Sequence, residues 1–292
     1  MICYRFVDAE KVNHSVAMLC RVIEISRAGY YAWKDRSPSA HEREDADLTE
    51  RIRSIFHGSR ATYGAPRIQA ELAATDIHVA RKRVARLMRQ AGLAAKRWTR
   101  RGHTTTPDPS AAPAPNIVDR NFTPPAADHL WAVDMTYIPT WQGWLYLAIV
   151  LDCFSRRVVG WALADHLHTD LPLQALRMAL QQRRPRAHHL VHHSDRGCQY
   201  TSVAYRCVLA ANGITVSMSR SGNALDNAVA ESFFATLKCE LLHDRIWATR
   251  PAAEQAVFEW LEVFYNRRRR HSAIGYMTPA AFEAHSLQRR AA

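Results

Sequence analysis

The sequence lacks the features that mark disulfide-stapled, zinc-binding and membrane-spanning proteins. Its six cysteines lie far apart with no Cys-x-x-Cys pair, which argues against a zinc ribbon and a disulfide framework. The longest apolar run, Trp144 to Leu151, stops at Asp152 and is too short to span a bilayer. The N-terminus, MICYRFVDAEK, lacks the basic region and apolar stretch of a signal peptide. These absences predict a cytoplasmic protein with reduced thiols and no membrane partner.

Acidic residues are few relative to basic ones. The chain has 27 Asp and Glu against 39 Lys and Arg, a formal net charge of +12. Residues 45–105 alone hold 13 basic and 5 acidic residues, a surplus of +8. A soluble protein this basic usually meets a polyanion, because cations placed on phosphates release condensed counterions. This distribution predicts a basic module attached to a body in which basic and acidic residues are nearly equal in number.

The basic module has the pattern of a helix-turn-helix. Residues 1–40 predict a small N-terminal helical segment, and residues 41–101 predict helices in HEREDADLTERIRSIF, YGAPRIQAEL and VARKRVARLMRQAGL. The last of these alternates apolar positions with a cationic face, as a DNA-recognition helix requires. The cations proposed to contact DNA are Arg81, Lys82, Arg83 and Arg86. Charge alone is equally compatible with a solvated basic helix.

The rest of the chain predicts a linker and an α/β core. Residues 102–127 are rich in Thr, Pro and Ala and predict a linker that separates the module from the body. Residues 128–285 then predict three antiparallel strands, followed by helix, strand, helix, strand and helix, which gives a mixed sheet with helices on both faces. A last helix is expected from Pro251 to Arg270. Trp131, Trp144 and Trp161 are interpreted as core residues in preference to base-stacking platforms.

Three carboxylates in this core predict a metal site. Asp134 interrupts an apolar strand, Asp195 follows another, and Glu231 lies beside the apolar stripe of a helix. A buried carboxylate is costly without a partner, and Mg²⁺ prefers such an oxygen-rich set. Two such ions, roughly 3.5–4 Å apart, assist in-line phosphoryl transfer. Asn227 and Lys238 return to the helix face of Glu231 and are predicted to hold a phosphodiester.

Other polar residues near the three carboxylates receive separate interpretations. Asp226 is expected to cap the helix that carries Glu231. Asp152 is expected to cap or pair with Arg156 or Arg157. A zinc site at His192 and His193 is disfavoured, because no partner falls at zinc-finger spacing. Arg267 and Arg268, in the run RRRRH, are either a solvated helix end or phosphate contacts.

Four long motifs resemble the integrase-core transposases of two-frame bacterial insertion sequences. They are LWAVDMTYI, LVHHSDRGCQYTS, SMSRSGNALDNAVAESFFATLKCE and FYNRRRRHSAIGYMTPAAF, and they occur in the family's order. YGAPRIQAELAA and VARKRVARLMRQAGL resemble the helix-turn-helix that precedes this core. The resemblance implies a ribonuclease H-like fold with a five-stranded mixed sheet, and it places the acidic triad on Asp134, Asp195 and Glu231. Thirty-five residues separate the last two, as in the family.

The resemblance also implies an activity and partners. The expected reaction is metal-dependent cleavage at insertion-sequence ends, followed by joining of the 3′-hydroxyl to target DNA, with two Mg²⁺ or Mn²⁺ ions. Lys238 matches a basic position that contacts the transposon end, and His193 is expected to orient a metal carboxylate or a water. Double-stranded DNA, a multimer on DNA and the upstream-frame protein are the implied partners in a bacterial cytoplasm. A ribonuclease H-like or junction nuclease, and a non-catalytic DNA-binding regulator, are the alternatives.

Overall fold

The N-terminal part of the chain forms a small helical cluster. The computed structural model describes residues 2–96, 114–220, 224–243 and 245–291. Helices α1 (Ile2–Glu10), α2 (Val16–Val22) and α3 (Arg27–Lys34) enclose a core of Val7, Leu19, Cys20 and Tyr30. Ser15 and Ser26 cap α2 and α3 by accepting backbone N–H bonds. The predicted helical segment is therefore present as three short helices.

Three further helices form the basic module. They are α4 (Ala40–Gly58), α5 (Ala65–Ala73) and α6 (Arg81–Gln90). A capping box between Ser39 and Glu42 starts α4, and a proline in the first turn helps to start α5. Helix α6 buries Val84, Leu87 and Met88 and exposes Arg81 and Lys82. The predicted cationic face is therefore present in part, since other arginines of this helix are partly buried.

A five-stranded mixed sheet forms the body, in the order β3-β2-β1-β4-β5. Strands β1 (Leu130–Thr140), β2 (Gly143–Asp152) and β3 (Val158–Ala164) are antiparallel, and β4 (Val191–Ser194) and β5 (Thr215–Met218) run parallel to β1. Helix α7 (Asp170–Arg183) packs on β2 and β3. The short α8 (Cys198–Thr201) and α9 (Val203–Ala211) connect β4 to β5. This confirms the predicted mixed sheet flanked by helices.

The C-terminal helices cover the second face of the sheet. Helix α10 (Ala228–Leu237) follows a 3₁₀ turn (Ala224–Asn227) and continues as a π-helix (Lys238–Leu242). Helix α11 (Arg250–Phe258) likewise becomes a π-helix (Glu259–Tyr265), and α12 (Pro279–Ala291) follows a 3₁₀ turn (Ser272–Ile274). The prediction of one helix to Arg270 is therefore wrong. The Asn266 amide bonds both backbone groups of Val158 in β3, and this contact accompanies the end of the helix.

The connection to the core is packed where the structure describes it. Val118, Phe122 and Ala126 are buried, and the Ile117 N–H donates to the Ser217 hydroxyl on β5. Residues 114–127 thus form a strap along the body, although they lack regular helix or strand. The rest of the predicted linker, up to residue 113, lies outside the described residues.

The basic module contacts the body directly. Tyr63 accepts a bond from the Arg270 N–H and donates to the Arg268 carbonyl, while Glu71 pairs with the Arg270 guanidinium. Apolar residues of α4 to α6 belong to the same buried cluster as those of α10 and α11. The predicted separation of module from body by the linker is therefore not seen. None of the helices in the described residues is long and apolar enough to cross a membrane.

Candidate active site

Asp134 lies where one edge of β1 becomes open. Strand β4 pairs with β1 only from Leu130 to Ala132, which is paired with His193. Asp134 follows two residues later, is partly buried, and accepts a 2.7 Å bond from the Met135 N–H. Buried residues of β1, such as Val133 and Ile138, lie before and after it in the strand. The sheet therefore holds this carboxylate rigidly at an accessible edge.

Asp195 comes directly after β4, beside the open edge of β1. Its Oδ1 accepts a 2.9 Å bond from the Gly197 N–H. A Cβ atom at Gly197 would lie 3.1 Å from that oxygen and 3.2 Å from the Gln199 Oε1. A glycine is therefore suited to this tight turn, which returns the chain toward α8.

Glu231 lies in the first turn of α10 and is partly buried. Val229, Ala230 and Phe233 anchor this turn in the core. The 3₁₀ turn before it is held by the buried Asp226, whose carboxylate accepts bonds from Arg220, Arg120 and Asn116. The prediction that Asp226 caps α10 is wrong, since Asn227 occupies the cap position and makes no side-chain capping bond.

The three carboxylates interact electrostatically. Burial, followed by the charge of Asp195, raises the pKa of Asp134 to about 8, and the charge of Glu231 adds to this effect. Burial also raises the pKa of Asp195, which the Gly197 N–H partly offsets. A site that concentrates carboxylates at this cost is suited to a divalent cation, whose charge would relieve the repulsion. Sequence reasoning brought these three residues together, and the structure does so as well.

The ligand oxygen atoms of the three carboxylates do not all lie within 4.8 Å of one another. Among the described residues, only His166, His168 and Asp170 place all their ligand atoms within 4.8 Å of one another. These three lie in the partly exposed segment that leads into α7.

Lys238 belongs to the same site. Its ammonium lies 5.5 Å from the centroid of the Tyr137 ring, and its charge favours the ionised form of Asp134. Burial lowers the pKa of Lys238, while the charge of Asp134 raises it. The helix spacing predicted that Lys238 would return to the face of Glu231, and the structure places it beside Asp134.

Asn227 and His193 support the site from beneath and do not face it. Asn227 is buried, and its amide donates to the Val133 carbonyl of β1, which argues against the predicted contact with a phosphodiester. His193 is also buried. Its Nδ1 accepts from the Ser217 hydroxyl at 2.9 Å, and its Nε2 bonds the Asp226 carbonyl at 2.7 Å. The prediction that His193 orients a metal carboxylate or a water is therefore corrected, because one ring nitrogen bonds Ser217 on β5 and the other holds the 3₁₀ turn.

The predicted DNA-contacting cations fall into two groups. Arg81, Lys82, Arg267 and Arg268 are exposed. Arg83 and Arg86 instead bind the Asp45 carboxylate of α4, at 2.8 and 2.7 Å. The next two residues of the run are also paired, since Arg269 is buried against Glu240 and the partly buried Arg270 pairs with Glu71.

Buried polar residues beneath the carboxylates were missed by sequence reasoning. Tyr200 lies under Asp134 and Asp195; burial and then the charge of Asp134 raise the pKa of its hydroxyl, which has no hydrogen-bond partner among the described residues. His192 bonds the Tyr205 hydroxyl at 2.9 Å, and burial lowers the pKa of His192 to about 3. The signal for Tyr200 is its place five residues after Asp195.

Comparison with known proteins places this site in a family. The integrase core domain matches residues 124–224 and again residues 212–279, and an HTH-like domain matches residues 42–102. The chain is 41% identical over 264 residues to the insertion element IS600 uncharacterized 31 kDa protein of Shigella sonnei, covering 90% of this chain and 97% of that protein. It is 35% identical over 288 residues to the transposase InsF for insertion sequence IS3A of Escherichia coli (strain K12), covering 97% and 99%. The chain belongs to the insertion-sequence transposases.

These comparisons confirm the resemblance to insertion-sequence transposases that was seen in the sequence. Among solved structures, the transposase is similar to the HTLV-2 integrase catalytic core domain in complex with magnesium, with a TM-score of 0.42 and 16% identity, covering 55% of this chain and 98% of that one. The transposase is a polynucleotidyl transferase that cleaves DNA strands and joins them by phosphoryl transfer. The nuclease and regulator interpretations lose their support, since the relatives extend over module and core together.

Proposed function

We propose that Asp134, Asp195 and Glu231 are the catalytic carboxylates of the transposase and together hold two Mg²⁺ ions, which Mn²⁺ can replace. The observation that carries this proposal is that three partly buried carboxylates, from β1, the end of β4 and the first turn of α10, lie close enough for the charges of Asp195 and Glu231 to raise the pKa of Asp134. Their oxygen atoms are the ligands that hard divalent cations prefer. Once bound, such ions stabilise the charge on the attacking and leaving oxygens of an in-line displacement.

The proposed reaction repeats one phosphoryl transfer. In cleavage, a water oxygen bonds the phosphorus at the insertion-sequence end, and the bond to the 3′ oxygen breaks, which leaves a 3′-hydroxyl. In joining, that hydroxyl bonds a target phosphorus and loses its proton, while the target strand's own 3′ oxygen leaves and takes up a proton. Through the cations that they would hold, the carboxylates would position the reacting strand at the edge of β1. Lys238 adds a positive charge beside Asp134, where it can bind a phosphate oxygen.

The proposed DNA contacts follow the exposed cations. Arg81 and Lys82 begin α6 and are free to reach a duplex, and Arg267 and Arg268 add a second cationic patch. Arg83 and Arg86 bind Asp45, so their guanidinium groups contact phosphates only if they share or exchange that carboxylate. Asn227 acts by joining α10 to β1. Lys238 acts at the reacting strand.

The proposed assembly is a multimer on double-stranded DNA in the bacterial cytoplasm, together with the upstream-frame protein. Transposition joins two DNA ends, so more than one copy is needed at the junction. The proposed division of the chain is an N-terminal helical segment at 1–40, a DNA-binding module at 41–101, a connection at 102–127 and a catalytic core at 128–285.

Strand transfer with a labelled insertion-sequence end tests the proposal. Wild-type protein is expected to join the end to target DNA in Mg²⁺ and to lose this activity in EDTA. Asp195→Asn is expected to reduce joining below detection while the affinity for the end stays within about twofold of wild type. Asp165→Asn, an exposed carboxylate elsewhere, serves as the control and is expected to join normally. Joining that persists in Asp195→Asn would contradict the assignment.

A further inference from the structure

Three aromatic side chains are exposed around the β1–β2 hairpin. Tyr137 is 39% exposed, Trp144 49% and Trp141 78%. The sequence predicted Trp144 in the core, and the structure corrects this, because Trp144 lies near the tip of the hairpin. Exposed tryptophans in a group mark a binding surface, since such large apolar side chains are buried where the fold permits. We call these three residues the hairpin aromatics.

The hairpin aromatics project from a braced backbone. The Tyr137 and Trp144 rings meet edge to face, with centroids 4.9 Å apart. The Arg250 guanidinium donates to the Trp144 carbonyl at 3.2 Å, and the Trp141 N–H donates to the Trp247 carbonyl at 2.9 Å. These bonds connect the hairpin to the start of α11, so a planar ligand would meet a surface that is already organised.

The hairpin aromatics lie farther along the strand that carries Asp134. Tyr137 follows Asp134 by three residues on β1, roughly 10 Å along the strand, and this odd separation directs the two side chains to opposite faces at the open edge of β1. The Lys238 ammonium bridges this interval, because it lies 5.5 Å from the Tyr137 ring centroid and favours the ionised form of Asp134. Carboxylates, one ammonium and aromatic rings therefore follow one another along the edge of β1.

We propose that Tyr137, Trp141 and Trp144 stack on unpaired bases of the DNA strand whose phosphodiester lies at the carboxylates. Every base has a flat face that stacks on aromatic rings, but pairing and stacking in a duplex cover that face except at an end. Lys238 borders the Tyr137 ring and offers a positive charge to a polyanion, and Arg250, which also pairs with Asp165, borders Trp144. This inference rests on the proposed function and names the part of the substrate that the hairpin takes.

The physical benefit is the capture of a frayed or displaced end. Separating the last base pairs of a duplex costs free energy, and stacking of the released bases on the rings offsets part of that cost. The strand then leaves the helix next to the carboxylates, where its backbone is open to attack.

A double-mutant cycle, which combines substitutions in the protein with changes in the DNA, tests the inference. The probe is a forked duplex of the insertion-sequence end, whose unpaired arm carries either normal bases or abasic nucleotides. Binding is measured by fluorescence anisotropy in protein carrying Glu231→Gln, so that no chemistry takes place. Trp144→Ala is expected to weaken binding of the base-bearing fork by roughly five- to hundredfold, the range for one lost stacked base. It is expected to leave the abasic fork unchanged.

Matched variants keep the result specific. Trp144→Phe is expected to restore most of the affinity, and Trp141→Ala, at a still more exposed side chain, to show the same dependence on bases. Phe258→Ala is the control, because Phe258 is 51% exposed and packs on Trp161 of the edge strand β3, away from the tip of the hairpin. Circular dichroism of each variant confirms folding.

The outcomes separate stacking from other roles. Equal losses on both forks, or no loss on either, would overturn the inference. Equal losses that accompany a changed sedimentation coefficient of the free protein would instead show an interface between protein molecules. Strand transfer by the wild-type protein on a fully paired end is measured in parallel and reports on the proposed function alone. If the loss of affinity depends on the bases but the wild-type protein joins no DNA, base stacking by the hairpin is supported and the proposed catalytic function is rejected.

Discussion

The ionisation of Asp134 governs how the site behaves without a cation. Its pKa is raised to about 8, first by burial and then by the charge of Asp195. A carboxyl whose pKa rises on folding binds its proton more tightly in the folded state, so its ionisation costs stability. The cost is absent below the unfolded value near 4, grows as the pH rises, and is complete above about 8.

Asp134→Asn is therefore expected to stabilise the metal-free protein in a pH-dependent way. In EDTA near pH 8, the free energy of unfolding should exceed that of wild type by more than about 1 kcal/mol, and the difference should shrink toward about pH 4. Urea denaturation across this range measures it. Glu254→Gln, an exposed carboxylate, is the control. A difference between Asp134→Asn and wild type that stays constant with pH would contradict the assigned cause.

The position of α10 depends on a carboxylate that does not take part in the reaction. Asp226 is fully buried, and its bonds with Arg220 hold its pKa well below the usual range. A lowered pKa means that the stability contributed by Asp226 is present above the unfolded value near 4 and is lost as the pH falls below it. His193 holds the same 3₁₀ turn through the Asp226 carbonyl. The first turn of α10, with Glu231, is thus fixed from two directions.

Asp226→Asn is expected to lower the free energy of unfolding by about 1–3 kcal/mol. This loss is smaller than that for a fully buried ion pair, because Arg220 is half exposed and solvent screens its charge. Strand transfer should fall as well, since Glu231 loses its fixed position. Thermal denaturation and the joining assay measure the two effects. Asp119→Asn is a matched control, because Asp119 pairs with the same arginine but is 77% exposed. Equal effects of the two substitutions would show that burial of Asp226 is unimportant.

Helix α12 is attached to the body by one buried carboxylate. Glu283 accepts two 2.9 Å bonds from Arg183 on α7 and one of 2.8 Å from Arg157. Glu283→Gln is expected to cost about 1–3 kcal/mol, because it removes the counter-charge of Arg157 and one of the two that Arg183 has, while Asp128 still pairs with Arg183. Hydrogen exchange should show faster opening of α12 before global unfolding. Glu254→Gln is the control, and unchanged exchange in α12 would contradict this role.

The elements that sequence reasoning predicted well are those with a local signal. The alternation around Asp134 and the apolar stripe beside Glu231 follow from periods of two and 3.6 residues. The four consecutive arginines have no such signal. Arg269 is buried and Arg270 partly buried, because Glu240 and Glu71 lie opposite them, and Glu71 is 199 residues from Arg270 along the chain. Trp144 was misplaced because strand periodicity does not show where a hairpin leaves the covered part of a sheet.

At the scale of the whole molecule, the DNA-binding module and the core share one buried cluster. Tyr63 and Glu71 bind the segment that contains Arg270, so α5 is held directly against the end of the α11 region. A duplex bound along α6 would therefore lie at a defined orientation to the carboxylates. The charge surplus of residues 45–105 acts as part of this one body.

The salt dependence of DNA binding tests whether α6 meets the duplex. Arg81 and Lys82 are the suitable residues, because Arg83 and Arg86 also bind Asp45 and their loss would disturb the packing of α4 on α6. Replacing both residues with Gln should make the slope of log K against log salt shallower by about 2, since each phosphate contact contributes about 0.9. The matched control replaces Arg186 and Arg206, two exposed arginines outside the basic module. An unchanged slope in the α6 variant, or an equal change in both variants, would mean that the duplex does not bind along α6.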